Sequence, residues 1–153
     1  MWSDPVAIKV TPGDPIIDLE IQTLQGQKLR LDQAIDSSFC FILGTSCKRC
    51  EEALINIQRM IVGKHHVAML FPESPVKVRE FAAKHADLLE GVEIYAVDPQ
   101  QLEPYNIKIV PALLCYSQSR LTLAFHGIIN PKYTQMLLSA YESRQTGKQG
   151  GSP

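Results

Sequence analysis

The chain lacks a long apolar run, a leader and an excess of charge, and each absence narrows what it can be. No stretch approaches the roughly 18–20 consecutive apolar residues that a membrane-spanning helix needs. Met1-Trp2-Ser3-Asp4-Pro5 has neither a basic n-region nor an apolar h-region, so no secretory signal is expected. That leaves two settings open: a cytosolic protein, or one whose leader or anchor has been removed. The 15 Lys and Arg residues balance 16 Asp and Glu to a net charge of -1, which excludes a strongly basic face for nucleic acid and an acidic tail. Four cysteines among 153 residues are too few to build a disulfide scaffold. There are no internal repeats and no linker-like segments. What remains is an ordinary globular composition, long enough to bury a core without staples. We expect one domain over 1–144 and a polar, disordered tail over 145–153.

Hydrophobic periodicity gives the order of elements. "IIDLEI" (Ile16–Ile21) and "KLRL" (Lys28–Leu31), separated by a turn at Gly26, read as a hairpin, and Asp32–Ile35 as one helical turn. Ser38–Leu43 is a continuous apolar block, the pattern of a strand buried on both faces. Apolar residues at Ala53, Leu54, Ile57, Ile61 and Val62 then follow a helical period, with Gly63 as the stop. His66–Phe71 is a second buried strand. Ser74 caps a predicted helix from Pro75 to about Leu89, and Val92–Val97 is a third strand. A short helix is predicted from Asp98-Pro99 to about Tyr105. Pro111–Tyr116 and Leu121–His126 form a closing hairpin, and Asn130-Pro131 opens the last helix. Alternating strands and helices imply an α/β domain with parallel central strands and helices on both faces.

The chemistry concentrates in "GTSCKRC", Gly44 to Cys50, where the first buried strand hands over to a helix. A thiolate is the reactive form of cysteine, and helix N-termini and neighbouring cations stabilise it. Cys47 stands at the predicted helix start beside Lys48 and Arg49, so it is the expected nucleophile. Cys50, one turn along, feels less of that field. Two unequal thiols within bonding reach are what disulfide exchange requires. Two other readings fit the pair itself. It is half of a metal site, although no second C-x-x-C supplies the remaining ligands, or it is two inert thiols. His65, His66 and His85 read as solvated or half-buried histidines, and His126 as an exposed strand end. Cys40 and Cys115 each sit inside an apolar block and are expected to be reduced core thiols. Counting along their strands puts them at about the same depth, as cross-strand neighbours with close sulfurs if both side chains share a face; a second redox pair is the alternative reading.

In order and motif the chain resembles thioredoxin-fold proteins, in particular the thiol-disulfide proteins of the TlpA/ResA type in the redoxin superfamily. "PGDPIIDLEIQTLQGQKLRLDQA" (Pro12–Ala34) resembles their opening hairpin. "GTSCKRC" resembles their active-site loop, "YNIKIVPALLCY" (Tyr105–Tyr116) the stretch with a cis-proline, and "AFHGIINPKY" the last strand and helix. The resemblance covers about residues 12 to 143. It implies a mixed central sheet with helices on both faces and an N-terminal β-hairpin. It implies Cys47 as attacking and Cys50 as resolving cysteine, and Pro111 as cis-proline, with the Val110 backbone binding a partner peptide. It implies exchange with protein thiols and disulfides, with no organic cofactor and no resident metal, in an extracytoplasmic setting, with a cytoplasmic one as the other option.

We expect a monomer. The chain departs from the family pattern at Ser46, where a tryptophan is usual, and at Lys48-Arg49, where a proline is common. The family's buried acid has no counterpart evident in the sequence. A peroxidase would need threonine three residues before its cysteine, and that place is Gly44, so peroxidase activity is disfavoured. The opposing class is a binding module of the same fold, docking a partner or handling copper through Cys47, Cys50 and His126.

Overall fold

The structure is a computed structural model and describes residues 7–150. Strands β1 (Glu20–Gln22) and β2 (Lys28–Arg30) form the opening hairpin, followed by α1 (Leu31–Ala34). Then come β3 (Ser38–Ile42), α2 (Lys48–Met60), β4 (Val67–Phe71), α3 (Pro75–Lys84) and β5 (Glu93–Val97). Strands β6 (Ala112–Ser117) and β7 (Arg120–His126) and helix α4 (Pro131–Gly150) close the chain. The seven strands make one mixed sheet in the order β2-β1-β5-β4-β3-β6-β7. Strands β3, β4 and β5 are parallel, and β6 runs antiparallel against β3. The parallel strands therefore all finish at one edge, and the α2 N-terminus and the start of β6 meet there.

The apolar blocks are strands buried on both faces. Every residue of β3, β4 and β6 is buried. Alternation then splits each strand between two cores. Phe39, Phe41 and Leu43 face the core shared with α2, α3 and α4, built from Leu54, Ile57, Val78, Phe81, Leu138 and Tyr141. Cys40 and Ile42 face the other core, with Leu31, Leu102, Ile107 and Tyr116. Helices do cover both faces, but the three long ones share a face and only short turns cover the second.

Several boundaries differ from those the periodicity predicts. Ile16, Ile17 and Leu19 are buried without joining a strand, because tyrosine hydroxyls take the backbone N–H groups that a ladder would use. Ile17 N–H donates to the Tyr116 hydroxyl (3.2 Å) and Asp18 N–H to that of Tyr105 (3.0 Å). The helix expected to reach Leu89 stops at Lys84, where His85 leaves helical geometry (φ -117°, ψ 31°), and a 3₁₀ turn over Ala86–Leu88 carries on. Helix α4 continues to Gly150, through residues where a disordered tail is expected. Its side chain at Gln145 is tied down, donating to the Tyr141 hydroxyl at 2.7 Å. The rest of that predicted tail, 151–153, lies outside the described residues.

Cys40 and Cys115 are not the facing pair that counting along the strands predicts. Cys40 lies opposite Leu114, and Cys115 opposite Phe39. A register offset of one residue sends the two side chains to opposite faces of the sheet, and each thiol sits in a different core. Strand β7 holds a comparable surprise. A bulge beside Cys115 and Tyr116 pairs Leu121 with Tyr116 but Leu123 with Cys115. The extra residue, Thr122, lets two leucines of equal spacing serve opposite cores.

Candidate active site

Strand β3 leaves the sheet at Leu43, and Gly44-Thr45-Ser46 carries the chain to α2. Gly44 lies between Cys47 and Val110. A Cβ there would touch the Cys47 Cβ at 3.4 Å and the Val110 side chain at 3.7 Å. Cys47 is the N-cap of α2, in extended geometry (φ -100°, ψ 114°). Its sulfur accepts from the Cys50 N–H at 3.1 Å, one of the donors that a helix start leaves unpaired. The cap is therefore the same atom as the expected nucleophile.

The two thiols stand in different environments. Cys47 is part-exposed, whereas Cys50 is fully buried. Burial pushes the Cys50 thiol up to about 12, helped by its hydrogen bond with Cys47 and by the negative charges of Cys47 and Glu73. The Gly44 N–H, donating to the Cys50 sulfur at 3.3 Å, works weakly in the opposite direction. Cys50 is thus held as a neutral thiol next to an accessible sulfur.

The start of β6 supplies the facing wall. The Val110–Pro111 peptide is cis, and the Val110 carbonyl lies 4.0 Å from the Cys47 sulfur. The loop after β7 closes the rim. Gly127 N–H donates to the Pro111 carbonyl at 3.0 Å, and the Asn56 side chain of α2 donates to the Ile129 carbonyl at 3.0 Å. Between these two ties Ile128 projects outward, 47% exposed. Lys48 and Arg49, the first two residues of α2, are both exposed. Among the described residues neither makes an ion pair.

Glu73 is the residue the sequence did not reveal. It follows the end of β4, and its carboxylate accepts from the Thr45 N–H at 2.7 Å and from the Thr45 hydroxyl. Both partners lie in the loop that carries the cysteines. The available signal was topological: β4 is the parallel neighbour of β3, so the residue just past its end reaches the loop just past the end of β3. Sequence spacing alone sees 28 residues between Thr45 and Glu73.

The remaining candidates are not drawn into the site. His126 pairs with Ala112 at the end of β7. Among the described residues no three His, Cys, Asp or Glu side chains are grouped as a metal would need, so Cys47, Cys50 and His126 do not form such a group. His65 pairs with Glu142 (2.9 Å), and His85 with Glu51 (3.9 Å). His66 bridges Ser38 and Glu93 at the opposite edge of the sheet. Among the described residues no helix is long and apolar enough to cross a membrane.

No protein-family model matches the chain, and no characterised protein matches it in sequence. Solved structures do match. A Chlorobium tepidum protein provisionally named thiol:disulfide interchange protein DsbE superposes with a TM-score of 0.73 at 14% identity, over 88% of this chain and 97% of its own. This chain has the thioredoxin-like fold. A secreted Mycobacterium tuberculosis disulfide oxidoreductase, described as homologous to E. coli DsbE, gives 0.63 at 14% identity, over 81% and 96%. A thiol peroxidase from Chromobacterium violaceum gives 0.66 at 10% identity, over 91% of both chains. The thioredoxin-like fold thus hosts interchange proteins and peroxidases alike, and the choice between them rests on the site.

Proposed function

We propose that this protein is a thiol-disulfide oxidoreductase that exchanges disulfides with partner proteins, Cys47 attacking and Cys50 resolving. One observation carries the reading: an accessible sulfur caps α2, and its partner thiol, one turn away, is buried and held neutral. Unequal thiols in contact define the order of events. The Cys47 thiolate attacks a sulfur of the partner's disulfide. The Cys47–partner bond forms, the partner's S–S bond breaks, and its second sulfur leaves as thiolate. Cys50 then attacks the Cys47 sulfur. The Cys47–Cys50 bond forms, the mixed disulfide breaks, and the Cys50 proton goes to a departing partner thiolate. Two electrons pass to the partner, and the reverse sequence oxidises a dithiol. The Val110 backbone binds the partner peptide in this reading, which the closeness of its carbonyl to the Cys47 sulfur, 4.0 Å, supports.

Gly44 supports interchange over peroxidase chemistry. It stands where a peroxidase would need threonine, and a side chain there would fill the space between Cys47 and Val110. The likeness to a secreted oxidoreductase favours an extracytoplasmic setting. Reduction of insulin disulfides under a dithiol reductant tests the proposal, run beside hydrogen peroxide consumption. Insulin reduction that Cys47→Ser abolishes, without peroxide turnover, is the expected result. Peroxide turnover without insulin reduction would replace the reading.

A further inference from the structure

Lys48 and Arg49 occupy the first turn of α2, a place where the helix favours negative charge. Unpaired N–H groups give that end a positive partial charge, and cations there are disfavoured. Among the lysines and arginines of the described residues, only Lys28, with Glu20, and Arg30, with Asp18 and Asp32, have carboxylate partners, so what sets Lys48 and Arg49 apart is their place, exposed beside Cys47 at the start of α2. Lys48 and Arg49 have none among the described residues. The nearest acids in sequence do not compensate them. Glu51 reaches His85, and Glu52, one turn below Lys48, makes no ion pair with it. Glu73 is engaged with Thr45. The stability of α2 therefore gives no reason for this pair of charges.

A Cys47 thiolate would offset part of that charge in the resting reduced protein. It no longer does so once Cys47 carries a partner. In the mixed disulfide the Cys47 sulfur is neutral, and two exposed cations flank the bound chain with no internal counter-charge. We infer that Lys48 and Arg49 form a recognition rim for partner proteins whose reactive cysteines are flanked by carboxylates. This rests on the oxidoreductase reading above. Charge complementarity of this kind steers encounter and rejects like-charged partners.

The test uses peptides with one disulfide loop, identical but for flanking residues that are Asp/Glu, Ser/Gln or Lys/Arg. Rate constants for their reduction by the reduced protein are measured at low and high salt. The acidic peptide should react about tenfold faster than the basic one at low salt, with the ratio collapsing as salt screens the charges. The double variant Lys48→Glu/Arg49→Glu should invert the ratio. Taking the ratio within each variant cancels any change in Cys47 reactivity or in potential. A ratio near one, or a ratio that charge reversal leaves unchanged, overturns the inference. Uncharged 2-hydroxyethyl disulfide separates the two levels. If the wild type fails to reduce it, the oxidoreductase reading falls and the inference with it. If it reduces that probe but shows no charge preference, the inference alone falls.

Discussion

Four cysteines form two pairs that look alike in a composition count and differ in every physical respect. Cys47 and Cys50 meet because a helix brings residues three apart onto one side, and the first sulfur caps the turn that contains the second. Cys40 and Cys115 belong to adjacent central strands, yet they are separated by the pleat. They fall one register step apart and enter opposite cores. In both pairs burial raises a thiol, but only the first leaves one sulfur accessible. A cysteine becomes a candidate for chemistry through a helix terminus and an open face, and becomes core packing when strands enclose it.

The sharpest break of this comparison is a set of single substitutions read by insulin reduction. Cys47→Ser should lower turnover by about a thousandfold or more, since the only other thiol of the mechanism, Cys50, is buried away from the partner's disulfide. Cys50→Ser should accumulate the mixed disulfide, visible as a covalent adduct on a non-reducing gel. Cys40→Ala and Cys115→Ala should stay within a few-fold of wild type. A turnover loss at either strand cysteine that matches Cys47→Ser would erase the distinction.

Stability should order the pairs the other way. A hydroxyl in either core finds no assured partner, so Cys40→Ser and Cys115→Ser should each cost about 1–3 kcal/mol. Cys47→Ser keeps an oxygen to cap α2 and should cost less than about 0.5 kcal/mol. Urea midpoints measure both. Glu73→Ala removes the anchor of Thr45 and should destabilise by about 1–3 kcal/mol, although it lies outside both cores.

Ionisation extends the contrast into pH. Cys40 is raised from 9.0 to about 12 by burial, Cys115 well above 9.0, and Tyr95 from 10.0 to about 12. Each folded group binds its proton more tightly than the unfolded chain does. Their stabilising contribution is therefore complete below pH 9.0 and is lost as pH rises from there toward about 12. Denaturant midpoints followed across that window should fall, and Cys40→Ala should flatten the fall. Cys50 should resist iodoacetamide in the Cys47→Ser variant up to strongly alkaline pH. Because its shift comes first from burial, losing Cys47 removes only the lesser causes.

The smallest effect is expected at the rim. Replacing Lys48 and Arg49 by glutamine should lower the reduction potential of the pair by about 30 mV or less, since both side chains are exposed and screened. Equilibration against glutathione reads it. No shift would mean that the helix terminus alone sets the thiolate field.

Much of this was legible in the order of residues. Continuous apolar blocks at Ser38–Leu43 and His66–Phe71 announced strands covered on both faces. The helical period after Lys48 placed Cys47 at a helix start, and Cys-Lys-Arg-Cys supplied the redox spacing. These features are local, fixed by backbone periods of 2 and 3.6 that the chain carries wherever it goes. Tertiary structure alone decided the rest, because it depends on registers and approaches between distant segments. Register sent Cys40 and Cys115 to opposite faces, and the bulge at Thr122 divided Leu121 from Leu123. Tyr105 and Tyr116 took the backbone of residues 17 and 18 out of the sheet. Parallel pairing of β3 with β4 brought Glu73 onto Thr45 from 28 residues away. No local period encodes such a meeting; only the packed sheet sets which strand ends lie side by side.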